Sequence, residues 1–461
     1  MTYSQAVRFD PDLIRRYDRN GPRYTSYPTA VQFHTNFCAE QYRAAAGSGL
    51  PATPLSLYVH VPFCGSPCFY CGCNKVITRD GTKVERYLNY LYREIELQAP
   101  LFNSSRRVEQ LHFGGGTPTF LSLAQLRALL GKLTERFSLT TSDDREYSIE
   151  IDPRTLAAES LPALAAMGFN RISLGVQDFD PDVQRAVNRV QSTDDTLQAI
   201  EDARANGFSS VSVDLIYGLP KQSFASFSRT LDTMVAARPD RLAVYGYAHL
   251  PRMFKAQRQI DEADLPSPAL RIELLGLTVE KLTAAGYVYI GMDHFALPGD
   301  ELVRAQRAGS LHRNFQGYST RAECDLVALG VSSIGKLGDA YSQNAKTLLE
   351  YYAALDKCRL PIQRGIELNL DDVVRREVIQ RLMCQGLVSF DAVEKRFDLE
   401  FDRYFARELK QLGEFVDDGL VSIAERAIRV TSAGRLLLRN IAMAFDAYLP
   451  HAAAATYSKA I

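Results

Sequence analysis

The sequence predicts an α/β chain: a partial (β/α)6 barrel, preceded by an arm and followed by a mainly helical domain. Three observations carry this. Six short β-rich runs alternate with amphipathic segments of crossover length, the mark of parallel βα units. Inside the runs, apolar and polar residues alternate with a period of two. Beyond about residue 300 the strand–helix alternation stops.

In chain order, the strand-like runs are residues 55–61, 108–113, 147–152, 171–177, 211–217 and 242–249. Helical segments fall at 84–98, 123–137, 160–167, 193–206 and 224–237. Six units fall short of the eight that close a barrel. An open barrel is therefore expected, with a mouth wide enough for a large substrate. The expected organisation is an arm over residues 1–50, the barrel over 51–300, a mixed connector over 301–365 and a helical, winged-helix-like domain over 366–461 with a hairpin at 419–431. A winged helix raises the question of DNA binding. Acids outnumber bases across 366–450, so no phosphate-tracking patch is present, and a lid or packing role is expected. The alanine run at 452–455 reads as a tail.

Composition narrows the function classes. At 461 residues the chain exceeds one ordinary domain, and 46% hydrophobic content supports a large core. A net charge of -1 provides no bulk field toward nucleic acid or anionic membrane. No charged-then-apolar leader and no long apolar run occur, so a cytoplasmic protein without membrane association is expected. Eight cysteines, four of them within ten residues, do not form a disulfide framework in a chain of this size. Cys38, Cys324, Cys358 and Cys384 stand alone and read as small buried apolar residues.

Strand period also assigns faces. Leu55, Leu57, Val59 and Val61 oppose Ser56, Tyr58 and His60; Tyr147, Ile149 and Ile151 oppose Ser148, Glu150 and Asp152. Likewise Ile172, Leu174 and Val176 oppose Arg171, Ser173, Gly175 and Gln177, and Val211, Val213 and Leu215 oppose Ser212 and Asp214. Apolar faces meet the helices, so the polar faces look inward. A barrel packed for stability alone fills its interior with branched aliphatics. This lumen is built for polar ligands, with internal ion pairs such as Glu150–Arg171 or Asp214–Arg189 as the plain structural use of its charges.

The chemistry follows the first run. Residues 61–74 place Cys64, Cys68 and Cys71 at a spacing of three residues, then two. A cubane 4Fe–4S cluster normally takes four cysteines. Three would leave one iron open to a small molecule, as open coordination marks catalytic zinc. A zinc knuckle would need a second doublet, and none follows; a closed cluster would recruit Cys73. Residues 114–119 follow the second run in the same way, with three glycines that let backbone approach a ligand closely and offer amides to a carboxylate.

The CxxxCxxC spacing resembles the signature of radical S-adenosylmethionine (SAM) enzymes, whose TIM-like partial barrel is the fold expected here. The resemblance narrows to the oxygen-independent coproporphyrinogen III oxidase (coproporphyrinogen dehydrogenase) family over nearly the full length. It is carried by residues 21–29, the cysteine segment, 114–119, 148–153, 175–179, 187–189, 214–220, 247–251, 291–295 and 313–318.

That resemblance implies one 4Fe–4S cluster on Cys64, Cys68 and Cys71, with Cys73 not a ligand, and two SAM molecules. The first, exchangeable at the open iron, would be contacted by Tyr58, Tyr70, Gly115, Glu150 and Ile334. The second would be contacted by Gly116, Thr117, Gln177, Arg189, Asp214 and Ala248. Segment 114–119 would hold the amino group of the methionine moiety. The implied reaction turns two propionates of coproporphyrinogen III into vinyl groups, giving protoporphyrinogen IX in porphyrin and haem biosynthesis. No catalytic side chain is implied beyond the cofactor site. The arm would contribute to the active site through Arg23 and Tyr24, and Arg23 and Arg313 would pair with substrate carboxylates. A monomer is implied, served by an electron donor such as flavodoxin or ferredoxin and an unidentified acceptor. The rival reading is the related haem-binding chaperone subfamily. Its members usually carry Phe where Cys73 stands and lack the segment at 21–29. A radical methyltransferase that opens haem is a more distant third.

Overall fold

The computed structural model describes residues 7–49 and 52–449; the alanine tail and the arm–barrel boundary lie outside the described residues. Six strands lie side by side in chain order, each parallel to the next: β1 (Leu55–Val61), β2 (Arg107–Gly115), β3 (Glu146–Ile151), β4 (Arg171–Gln177), β5 (Ser210–Tyr217) and β6 (Arg241–Gly246). Helices α1 (Gly81–Gln98), α2 (Leu123–Arg136), α3 (Ser160–Ala166), α4 (Thr193–Ala205) and α5 (Phe224–Ala237) join them. The sequence reading therefore holds for the six βα units. Its sixth run extends past the strand, because residues 247–249 leave the ladder to form a loop.

Local signals explain the crossovers. Ser122 and Gln125 form a reciprocal cap at the start of α2, satisfying donors that a helix N-terminus leaves free. Leu126, Leu129 and Leu133 then bury one stripe. In α1, Asp80 caps the start, and Val84, Tyr87, Leu88, Leu91 and Ile95 face the sheet. The strand residues opposed to these helices, such as Leu57, Val59, Ile149 and Val213, are fully buried.

The sheet runs further than the sequence indicated. Beyond β6 lie two antiparallel strands, β7 (Val288–Gly291) and β8 (His294–Ala296). On the other side, β9 (Asp325–Leu329) pairs in parallel with β1, and β10 (Ile334–Leu337), β11 (Ala340–Asn344) and β12 (Ile362–Glu367) continue antiparallel. Much of the segment read as a connector is thus sheet. Residues of β9 and β11 are buried on both faces, which removes the alternation that betrays a strand.

A second core gathers the carboxy-terminal elements, with Val374, Val378 and Leu382 of helix α6 (Leu370–Gln385) at its centre. The expected hairpin forms from Val421–Ala424 and Ala427–Val430, and Leu387–Ser389 adds a third strand. Tyr17, Tyr24 and Tyr27 of the arm are buried in this same core. Among the described residues no helix is long and apolar enough to cross a membrane. Of the isolated cysteines, Cys324 and Cys384 are buried as expected, whereas Cys38 and Cys358 are exposed because each sits at a helix end.

Candidate functional site

Parallel strands deliver their carboxyl ends to one rim, and the loops there surround a cleft of about 500 Å³. The cysteine loop leaves β1, the glycine turn leaves β2, and Glu150, Gln177 and Asp214 project from β3, β4 and β5. Cys64, Cys68, Cys71, Tyr70, Gly115, Gly116, Thr117 and Arg189 line the same cleft. Three of the expected SAM contacts do not. Tyr58 stacks on His112 and meets His60 Nδ1 at 3.1 Å; Ile334 packs beside Phe33 and Tyr341; Ala248 lines a neighbouring cavity.

The glycine turn is tight for steric reasons. A Cβ on Gly116 would lie 2.8 Å from the Phe63 carbonyl oxygen, and Gly115 has φ +116° against the His60 ring. Its amides are not free, contrary to the sequence expectation. Gly115 N donates to Glu150 Oε2 at 3.2 Å, Gly116 N to the Val61 carbonyl and Thr117 N to the Phe63 carbonyl, both at 2.8 Å. The turn therefore clamps the cysteine loop.

Charge in the cleft is arranged in two groups. Arg189 donates to Cys68 Sγ at 3.4 Å and to Asp152 Oδ2 at 3.1 Å, and Arg154 pairs with the same carboxylate at 2.6 Å. Burial works to raise the Asp152 carboxyl, but the two guanidinium groups outweigh it and hold it below the usual range. Glu150 is likewise held low: burial opposes ionisation, while His112 at 3.1 Å and the Gly115 amide favour it. Among the described residues Asp214 has only Ser173 as a hydrogen-bond partner, at 3.2 Å, and burial and then the Glu150 charge push it up to about 7. The internal ion pairs that stood as the bracing alternative to a ligand-binding role, Glu150–Arg171 and Asp214–Arg189, are absent among the described residues. Arg171 binds Glu301 at 2.6 Å, and Arg189 binds Asp152 rather than Asp214.

The donor set suits an iron–sulfur cluster. All three cysteines are free thiols opening on one cavity, and Cys71 Sγ accepts the Cys73 amide at 3.4 Å. Its thiol is pulled down, chiefly by Cys73 and with help from Lys75, while burial pushes Cys64 up. Arg189 Nε is buried and without a hydrogen-bond partner among the described residues, which leaves a donor for a ligand.

Sequence reasoning missed Arg154, whose neighbour Asp152 it had placed on the lumen face. It also missed His112, an alternate-face residue of the second run that the period-two pattern could have flagged. Arg313 is buried at 4% exposure, with Nε and Nη1 lacking hydrogen-bond partners among the described residues and its guanidinium 4.8 Å from the Tyr318 ring.

Residues 58–234 match the Radical SAM superfamily and residues 368–437 match the HemN C-terminal domain. A relative from Pseudomonas aeruginosa, named oxygen-independent coproporphyrinogen III oxidase, is 52% identical over 99% of both chains. One of the same name from Escherichia coli is 50% identical over 96% of both. The solved structure described as coproporphyrinogen III oxidase (HemN) from Escherichia coli, a radical SAM enzyme, superposes with a TM-score of 0.92 at 48% identity, covering 96% of this chain and 99% of that one.

Proposed function

The chain belongs to the oxygen-independent coproporphyrinogen III oxidase family of radical SAM enzymes, and from that premise we propose how its residues divide the work. It is an oxidoreductase acting on coproporphyrinogen III, converting two propionates to vinyl groups. The observation that carries the assignment of roles is the convergence of three thiols with Glu150, Gln177, Arg189 and Asp214 on one cleft.

Cys64, Cys68 and Cys71 hold the 4Fe–4S cluster, and Arg189 and Arg154 at Cys68 Sγ tune it through hydrogen bonds to sulfur. When bound, the cluster and SAM supply a one-electron cleavage that yields the radical able to take a hydrogen from the propionate β-carbon. Loss of carbon dioxide and of one electron to an acceptor then leaves the alkene. The protein's part is placement and exclusion of water. Glu150, beside the glycine turn, orients the SAM at the cluster. Gln177, Arg189 and Asp214 line the same cleft and would hold a second SAM. Arg23 lies 5.7 Å from the Tyr245 ring, and Arg313 is poised beside Tyr318; both are suited to substrate carboxylates.

No base is required, so the test is of cofactor and product. Anaerobically reconstituted protein, given coproporphyrinogen III, SAM and reduced flavodoxin, should form protoporphyrinogen IX with two SAM consumed per product. Tight haem binding without turnover would instead support the chaperone reading.

A further inference from the structure

A second cavity of about 380 Å³ adjoins the cleft, and its charge is lopsided. Among the described residues, four guanidinium groups, Arg23, Arg271, Arg435 and Arg439, line it against a single carboxylate, Asp293. That carboxylate lies 3.6 Å from Arg23. Arg271 donates to the Tyr247 carbonyl at 2.7 Å and makes no ion pair among the described residues. Gln257 links the two cavities: its Nε2 donates to the carbonyls of Tyr70, on the cleft wall, and Ala248, on the chamber wall, at 2.9 and 3.1 Å.

Grouped guanidinium charges in a sheltered site disfavour one another and favour an anion. Arg439 registers this: burial and then the charge of Arg23 bring it down to about 10. The substrate is a tetracarboxylate. Two of its propionates become neutral vinyls, and two survive the reaction. A chamber at the low end of the roughly 300–1,000 Å³ typical of whole-ligand sites suits one edge of a macrocycle rather than all of it.

We propose that this chamber is an anion subsite that grips the surviving propionates, with Arg271 as its principal ligand and Arg435 and Arg439 as its carboxy-terminal wall. The inference rests on the coproporphyrinogen reading above. It gives the carboxy-terminal domain a place in substrate binding. The amino-terminal arm, through Arg23, closes the chamber from the other side.

The test uses oxidised, unreactive porphyrins titrated by fluorescence into cluster-reconstituted protein with SAM. Losing one charge-assisted pair should weaken coproporphyrin III binding about 10- to 100-fold in Arg271→Gln, with partial recovery in Arg271→Lys. Mesoporphyrin IX, which keeps only the two surviving propionates, should lose by the same factor. The uncharged coproporphyrin tetramethyl ester should bind wild type and Arg271→Gln alike. An unchanged coproporphyrin affinity would overturn the proposal, and so would an equal loss for the ester, which would mark a packing role. A loss confined to coproporphyrin would also overturn it, placing a reacting propionate there. Binding here needs no turnover, so this inference and the oxidase reading can fail separately.

Discussion

Arg439 Nε donates to the Pro22 carbonyl at 2.8 Å, and its Nη2 donates to the Gly21 carbonyl, so a side chain of the carboxy-terminal domain holds the backbone just ahead of Arg23. Tyr17 extends the strap through its hydroxyl to Asp418 at 2.5 Å, and Tyr24 through its hydroxyl to Asp446 at 2.9 Å. The arm reaches the chamber because the far end of the chain carries it there.

Arg439→Met should therefore loosen the arm. The Gly21 and Pro22 carbonyls sit in buried residues, and each lost charge-assisted bond costs about 1–3 kcal/mol. Limited proteolysis should cut the arm faster than in wild type, and porphyrin turnover should fall while the iron content stays level. Unchanged protease sensitivity would show that the arm's other anchors, among them its tyrosines and the Arg16–Asp418 and Arg23–Asp293 pairs, hold it without Arg439.

Ligand identity is decided by four serine variants. Cys64→Ser, Cys68→Ser and Cys71→Ser should each lose iron and acid-labile sulfide on reconstitution. Cys73→Ser should keep both, since what Cys71 Sγ accepts from residue 73 includes the backbone amide, which serine retains. Equal loss in Cys73→Ser would make the cluster closed and remove the open iron on which the chemistry depends.

These assignments show what a sequence can disclose. Strands β1 and β4 and helix α5 fall at the residues that period and composition indicated, because each buries one face and leaves the other polar. The lumen-facing Glu150, Gln177 and Asp214 followed from the same alternation. Alternation assigns a face but not a partner: Arg189 reaches the cleft from a loop after Asn188, whose φ of 52° turns the chain, and it meets Asp152. The strands β9 and β11 stayed hidden because sheet or helix covers both their faces. Arg435 and Arg439 lie four residues apart on successive helical turns, but Arg271 and Arg23 stand far from them along the chain, so no local pattern joins the set.

Asp214 provides a pH signature. Its carboxyl, facing Glu150, Ser173, Arg189 and His112 and close to Tyr245, is raised from 3.8 to about 7, so the folded state keeps a proton that the unfolded chain has released. Its contribution to stability is full below the unfolded value and is lost as pH rises through the folded one. In the cluster-free protein, Asp214→Asn escapes that loss. The melting temperature of the variant relative to wild type should climb between about pH 4 and pH 7 and level off above that. A difference that stays flat would mean that the lumen is wetter than its burial implies.

Gly116 tests the clamp between the glycine turn and the cysteine loop. A methyl group there would press on the Phe63 carbonyl oxygen and the Pro62 carbonyl carbon at 2.8 Å, and neither can swing aside as a side chain would. Overpacking of this kind costs about 1–3 kcal/mol. The strain falls on the residues directly before Cys64, so Gly116→Ala should lower both the melting temperature and the iron retained per chain. Gly131, inside α2 with nothing within 4 Å of an added Cβ, is the control. Gly131→Ala removes unfolded-chain freedom without a clash and should stabilise by about 0.4–1 kcal/mol with iron unchanged. If Gly116→Ala matched that control in iron content, the turn would be a passive bend, and the cysteine loop would owe its shape to other contacts.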